Sequence, residues 1–149
     1  MLSIDVMNVW LAVGFLAILA ALVAALIVVN KSIRLRRSEG VDRAEVKAEW
    51  QKIMKLLDLH WQKEMNSKLA VVAADKLLDD VLTKIGFSGG DPSERLKIAS
   101  YRYQRLRKVR WAHEVRKQID RNPNYVLKYG EARFVLKLIR TALRELGAI

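Results

Sequence analysis

Residues 6–29 read VMNVWLAVGFLAILAALVAALIVV, 24 in a row without a charged side chain. As a helix rising about 1.5 Å per residue the run extends about 36 Å, more than the about 30 Å of a bilayer's hydrocarbon core. The spacing predicts one N-terminal transmembrane helix. A cleaved signal peptide is the rival reading, and it needs a basic n-region and an apolar stretch of about 7–15 residues. Here Asp5 is the only charged side chain ahead of the run, and the cations follow it. A buried core helix fits less well still, because only Asn8 interrupts the run with a polar group.

The flanks set an orientation. Lys31, Arg34, Arg36 and Arg37 crowd the C-terminal side, whereas the N-terminal side offers only the α-amino group and Asp5. The positive-inside bias then keeps the C-terminal part in the cytoplasm and the N-terminus outside the cell membrane. Trp10 falls near the outer end, at the depth an indole favours. Ala17, Ala21 and Ala25 form a small-residue stripe that would let a second helix approach, although alanine is common in membrane helices on any account. The expected organisation is an anchor with its basic flank over 1–37, a short linker over 38–40, and a domain over 41–149.

That domain is basic in its own right. The chain holds 27 basic and 16 acidic residues, a net charge of +11. Four of those cations and two of the acids (Asp5 and Glu39) precede Gly40, so the domain keeps +9. There is no cysteine, which excludes disulfides and thiolate metal sites and suits a reducing compartment.

Helical periodicity runs through the whole domain. Asp42 and Glu45 have capping-box spacing, and Val46, Trp50, Ile53 and Leu57 follow as an amphipathic stripe. A second helix is predicted over about 61–85, with Val71, Ala74, Leu78, Val81 and Ile85 inward, widened by Leu69, Leu77 and Leu82, and Gly86 as its C-terminal cap. Asp91, Pro92 and Glu94 open a third helical stretch to about Asp120, with a break expected near residues 100–103. Its inward residues are Leu96, Ala99, Leu106, Val109, Ala112, Val115 and Ile119. A turn at Asn122-Pro123-Asn124 leads to a last helix over about 130–146, with Ala132, Val135, Leu136, Ile139, Leu143 and Leu146 on one side. No segment alternates with period two. The fold class is all-α: one transmembrane helix, then an up-and-down bundle of about four helices.

Little in this sequence carries chemistry. His60 and His113 stand in separate helices without a carboxylate at ligand spacing, and Gly89-Gly90 lacks the lysine–serine pair of a P-loop. Asp75 and Asp79 share a helix face; such a pair binds a cation less often than it pairs with arginines of a neighbouring helix or edges a solvated face. No metal, no cofactor and no catalytic residue is expected. The basic segment is more informative: residues 95–121 carry ten cations against Glu114 and Asp120, interleaved with Tyr101, Tyr103 and Trp111. Arg102, Arg105, Lys108, Arg116, Lys117 and Arg121 are the candidates for contacting a phosphate or a partner. Such a stripe suits RNA or anionic lipid headgroups.

Leu69–Asp79 (LAVVAADKLLD), Gly86-Phe87-Ser88-Gly89, Ser93–Lys97 (SERLK) and Trp111–Lys117 (WAHEVRK) resemble a group of uncharacterised bacterial membrane-anchored helical proteins. The likeness covers most of residues 50–149 and is similar to HEPN domains, helical bundles that often pair as dimers. Active members carry R-N-x-x-x-H, whose arginine and histidine act on an RNA phosphodiester without metal. Arg116 matches that arginine, but Lys117 stands for the asparagine and Arg121 for the histidine. An arginine stays protonated and cannot serve as a general base, so the resemblance implies phosphate binding without cleavage. The leading expectation is a membrane-tethered, non-catalytic module whose partners are the bilayer and a protein, a second copy included. RNA or anionic-lipid binding is the alternative, and a HEPN ribonuclease is opposed by Arg121.

Overall fold

A computed structural model describes the backbone of residues 3–37, 40–59 and 63–149, and within the first helix the side chains of residues 10, 11 and 13–28. Among these residues every regular element is helical. The chain divides into two compact units, Met1–Arg36 and Arg37–Ile149.

The first unit is a single continuous helix, α1 (Ser3–Arg37), on which every described side chain, Trp10 included, is exposed. Among the described residues no helix is long and apolar enough to cross a membrane. The transmembrane expectation is therefore not supported by the described residues. The side chains of Lys31, Arg34, Arg36 and Arg37, and Ser38 and Glu39 of the expected linker, lie outside them.

The second unit begins where the Asp42 carboxylate accepts the N–H groups of Ala44 (2.8 Å) and Glu45 (3.2 Å), starting α2 (Arg43–Asp58). The Glu45 side chain does not close the expected capping box; it pairs with Lys84 at 3.1 Å. Val46, Trp50, Ile53 and Leu57 are buried as their spacing predicts. His60, Trp61 and Gln62 lie outside the described residues, and α3 follows (Lys63–Lys84). Its end is a left-handed Gly86 (φ 85°), with the Phe87 N–H reaching back to the Leu82 carbonyl at 3.0 Å. One expectation fails here: Leu69 is 48% exposed, because Ala70 and Val71 beside it take the inward face.

Asp91 caps α4 (Pro92–Arg102), accepting the Glu94 N–H at 2.9 Å, while the Glu94 carboxylate accepts the Gly90 N–H at 2.6 Å. The expected break falls at Tyr103, whose extended backbone (φ −116°, ψ 101°) ends α4 and leads into a short 3-10 turn, Gln104–Lys108. The break seats Leu106 fully inside and sets Tyr103 edge-on to Phe87, ring centres 6.1 Å apart. Next come α5 (Val109–Arg121) and, after the Asn122–Asn124 turn, α6 (Tyr129–Glu145).

α3 packs against α2, α4, α5 and α6 alike. The unit is therefore five helices, four of them packed on the central α3, and the simpler four-helix up-and-down arrangement is corrected on that point. Splitting the third stretch at Tyr103 supplies the additional helix. The core runs through α3 (Val71, Ala74, Leu78, Val81) to Leu57 on α2 and Leu136, Ile139 and Leu143 on α6. Each such leucine or isoleucine contributes about 1.5–3 kcal/mol by leaving water.

Candidate functional site

The candidate cations of residues 102–121 do not act as one free stripe. Arg105 pairs with Glu145 at 3.1 Å, Lys117 with Glu114 at 3.1 Å, and Arg116 with Asp120 at 3.0 Å. The Lys117 hydrogen bond, with the Lys117, His113 and Arg121 charges in support, holds the Glu114 carboxyl below its usual range against a smaller opposing effect of burial. Arg102 and Lys108 are exposed and make no ion pair among the described residues, and Arg121 is exposed beyond them. Arg95 grips Asp79 with both arms of its fork (2.7 and 2.9 Å) and donates to the Gly89 carbonyl at 2.8 Å. That hydrogen bond to Asp79 raises the guanidinium further. A Cβ on Gly89 would stand 2.8 Å from the Arg95 backbone nitrogen, so the loop takes this path only with glycine there.

The structure brings together three residues that local spacing had kept apart. Asp75 on α3, Ser93 on α4 and His113 on α5 form a chain: both Asp75 oxygens lie 3.0 Å from His113 Nδ1, and Ser93 Oγ lies 2.8 Å from His113 Nε2. Local spacing offers His113 no carboxylate, and the fold supplies one: Asp75 reaches it across the core from 38 positions away. With Nδ1–H donated to the carboxylate, a neutral ring leaves Nε2 to accept the serine proton. That is the order of a nucleophile relay.

The surroundings argue for a structural role instead. Asp75 is 5% and His113 4% exposed, and the void on the Asp75 side, walled by Leu78, Pro92 and Leu96, is about 10 Å³, while a recess of about 250 Å³ lined by Ser93, Lys97, Arg110 and Glu114 adjoins His113 on the other side. Of the N–H groups flanking Ser93, that of Glu94 is donated to Asp91 and Pro92 has none, so neither is free for an oxyanion. Arg116 turns its Nε to within 3.9 Å of Asp75. The three helices are tied together by a satisfied buried network.

A larger recess lies elsewhere in the unit. α2 and α6 both pack on α3 but scarcely on each other, leaving a cleft of about 620 Å³ between them. Trp50, Met54, Leu57, Phe134 and Leu136 give it an apolar lining. Its rim carries Arg133, Lys137, Arg140 and Arg144, and no acidic side chain lines it. None of these four cations makes an ion pair among the described residues; Arg133 stacks 5.9 Å over the Tyr129 ring. Phe134 is 52% exposed and meets Trp111, itself 44% exposed, edge-on at 5.5 Å. The half-exposed aromatic pair thus lies beside cations that make no ion pair among the described residues. The sequence carries this signal in the i, i+4, i+7 and i+11 spacing of 133, 137, 140 and 144, although the run at 95–121 is denser in cations.

No protein-family model, curated protein or solved structure matches the chain.

Proposed function

We propose that the chain is a membrane-tethered, non-catalytic interaction module: residues 6–29 cross the cell membrane, the N-terminus lies outside, and the helical domain binds a protein partner in the cytoplasm. The cleft between α2 and α6 carries this reading, because it joins an apolar lining to four cations without ion pairs among the described residues. In favour of the anchor stands the uncharged run at 6–29. A helix apolar on all sides and exposed in isolation belongs in lipid or against other helices. The HEPN likeness fits a bundle that has kept an interaction surface and lost the base its chemistry needs. A second reading, RNA or anionic-lipid binding, is favoured by Arg102 and Lys108, which remain exposed and unpaired among the described residues.

A photo-crosslinking residue in place of Phe134, installed in the full-length chain in its native membrane, tests the first reading. A discrete protein adduct is expected from that position and not from the exposed Lys76 on α3. An adduct of twice the chain's mass would make the partner a second copy. No protein adduct, with crosslinks to RNA or lipid from position 108, would install the second reading. The non-catalytic assignment has its own check: a fluorophosphonate probe should leave Ser93 unlabelled, and labelling lost in Ser93→Ala would restore catalysis.

A further inference from the structure

We infer that the α2–α6 cleft receives one amphipathic helix carrying an acidic stripe, contributed by a partner protein; this rests on the interaction-module reading and names its ligand. The shape argues for a helix. Half-buried Met54 on α2 and exposed Phe134 on α6 are the apolar side chains that reach the surface of the cleft, over a floor of buried Trp50, Leu57 and Leu136. Two helices seated on α3 without closing on each other leave a trough into which a further helix lays its apolar face, the way amphipathic helices are held in grooves.

Charge decides which helix. Arg133, Lys137, Arg140 and Arg144 follow one edge of the trough at i, i+4, i+7 and i+11, a line of about 16 Å. A helix lying alongside matches such a line when its own acids repeat at the same intervals on one flank of a leucine-type stripe. A second copy of this chain is a poor occupant, since each copy carries +11 and the approach is repulsive. Anionic lipid meets the charge but not the line: headgroups gather wherever cations are exposed, whereas these four border an apolar trough with an exposed phenylalanine at one end. Phe134, with Trp111 behind it, is the anchor around which water is excluded.

The test uses the full-length chain in zwitterionic detergent and a labelled helical peptide of about 18 residues, long enough to hold a helix. The peptide carries leucines at i, i+3 and i+4 and glutamates along one flank. Saturable binding that weakens with salt is expected, and the same peptide with lysines for glutamates should not bind. Lys137→Glu with Arg140→Glu, both on exposed positions, should weaken the glutamate peptide at least about tenfold. The same variant should bind the lysine peptide instead, a gain that misfolding cannot produce. Phe134→Ala should weaken the glutamate peptide with helicity unchanged. Equal binding of both peptides by the native chain, or no binding at low salt, overturns the inference. Displacement of the peptide by phosphatidylglycerol vesicles but not phosphatidylcholine ones, with loss of vesicle binding in the Lys137→Glu and Arg140→Glu variant, reassigns the trough to lipid. A protein adduct at position 134 alongside a failed peptide would leave the interaction module standing and sink only the acidic helix; loss of both sinks the reading beneath it.

Discussion

Ser67 lies wholly inside α3, and its hydroxyl is the one buried side-chain polar atom among the described residues without a hydrogen-bond partner. Burying an unsatisfied hydroxyl costs about 1–3 kcal/mol, so it is a defect that alanine repairs without leaving a void. Ser67→Ala should raise the midpoint of urea unfolding by about 1 kcal/mol equivalent, with the slope unchanged. An equal or lower midpoint would show that the hydroxyl is satisfied in solution. The contrast with Ser93 is instructive: one serine is buried with nothing to bond, the other completes the His113–Asp75 chain. Neither fate can be read from sequence, because both depend on which helix comes to lie opposite. Periodicity located Val46, Trp50, Ile53, Leu57 and Leu78 correctly because burial on one face is a local pattern. It missed Asp75 beside His113 because that pairing joins two helices 38 positions apart in the chain.

The junction between α5 and α6 holds a titratable group with a definite pH signature. Tyr125 donates to the Glu131 carboxylate at 3.0 Å, and burial first, then that bond, raises its phenol above the ordinary value of about 10. The folded state therefore holds the proton more tightly than the unfolded chain. The stabilisation is complete below the unfolded value and disappears as pH rises through the folded one. Alkaline unfolding followed by circular dichroism should show stability falling above about pH 10. Tyr125→Phe should cost about 1–2 kcal/mol at neutral pH and remove the tyrosine's share of that fall. An unchanged alkaline profile in the variant would mean that the bond is not made. Turns and caps here were legible in the sequence: Gly86, Asp91 and Pro92 announced the ends they form. The break at Tyr103 was legible only as a region, since its position is fixed by Phe87 and Leu106, which no local rule connects.

At the scale of the molecule, topology is the property most open to a decisive measurement. With the cations of residues 31–37 following the apolar run, a cysteine at Ser3 should react with an impermeant thiol reagent on intact cells, while one at the exposed Ser88 reacts only after permeabilisation. Reaction of both positions, or of Ser88 alone, would overturn the proposed orientation. The bundle's composition predicted its class, but its arrangement around a central α3 did not follow from helix count. Loop lengths suggest sequential neighbours, whereas the broad buried side of α3, from Asn66 and Ala70 to Asp75 and Leu82, draws the other four helices to it.

That central role has a mechanical corollary for α2, whose main packing surface is α3 alone. It is also the first helix of the domain met by the chain arriving from α1, so any tension along that connection loads it before the rest. Amides of α2 should accordingly exchange with deuterium sooner than those of α3, as a unit that opens while the remaining four helices hold. Exchange at equal rates in α2 and α3 would show a single cooperative body. Peeling α2 away removes Trp50, Met54 and Leu57 from one bank of the trough while Arg133, Lys137, Arg140 and Arg144 stay in place on the other. A docked helix would then be clamped shut against traction, and an empty trough would yield to it.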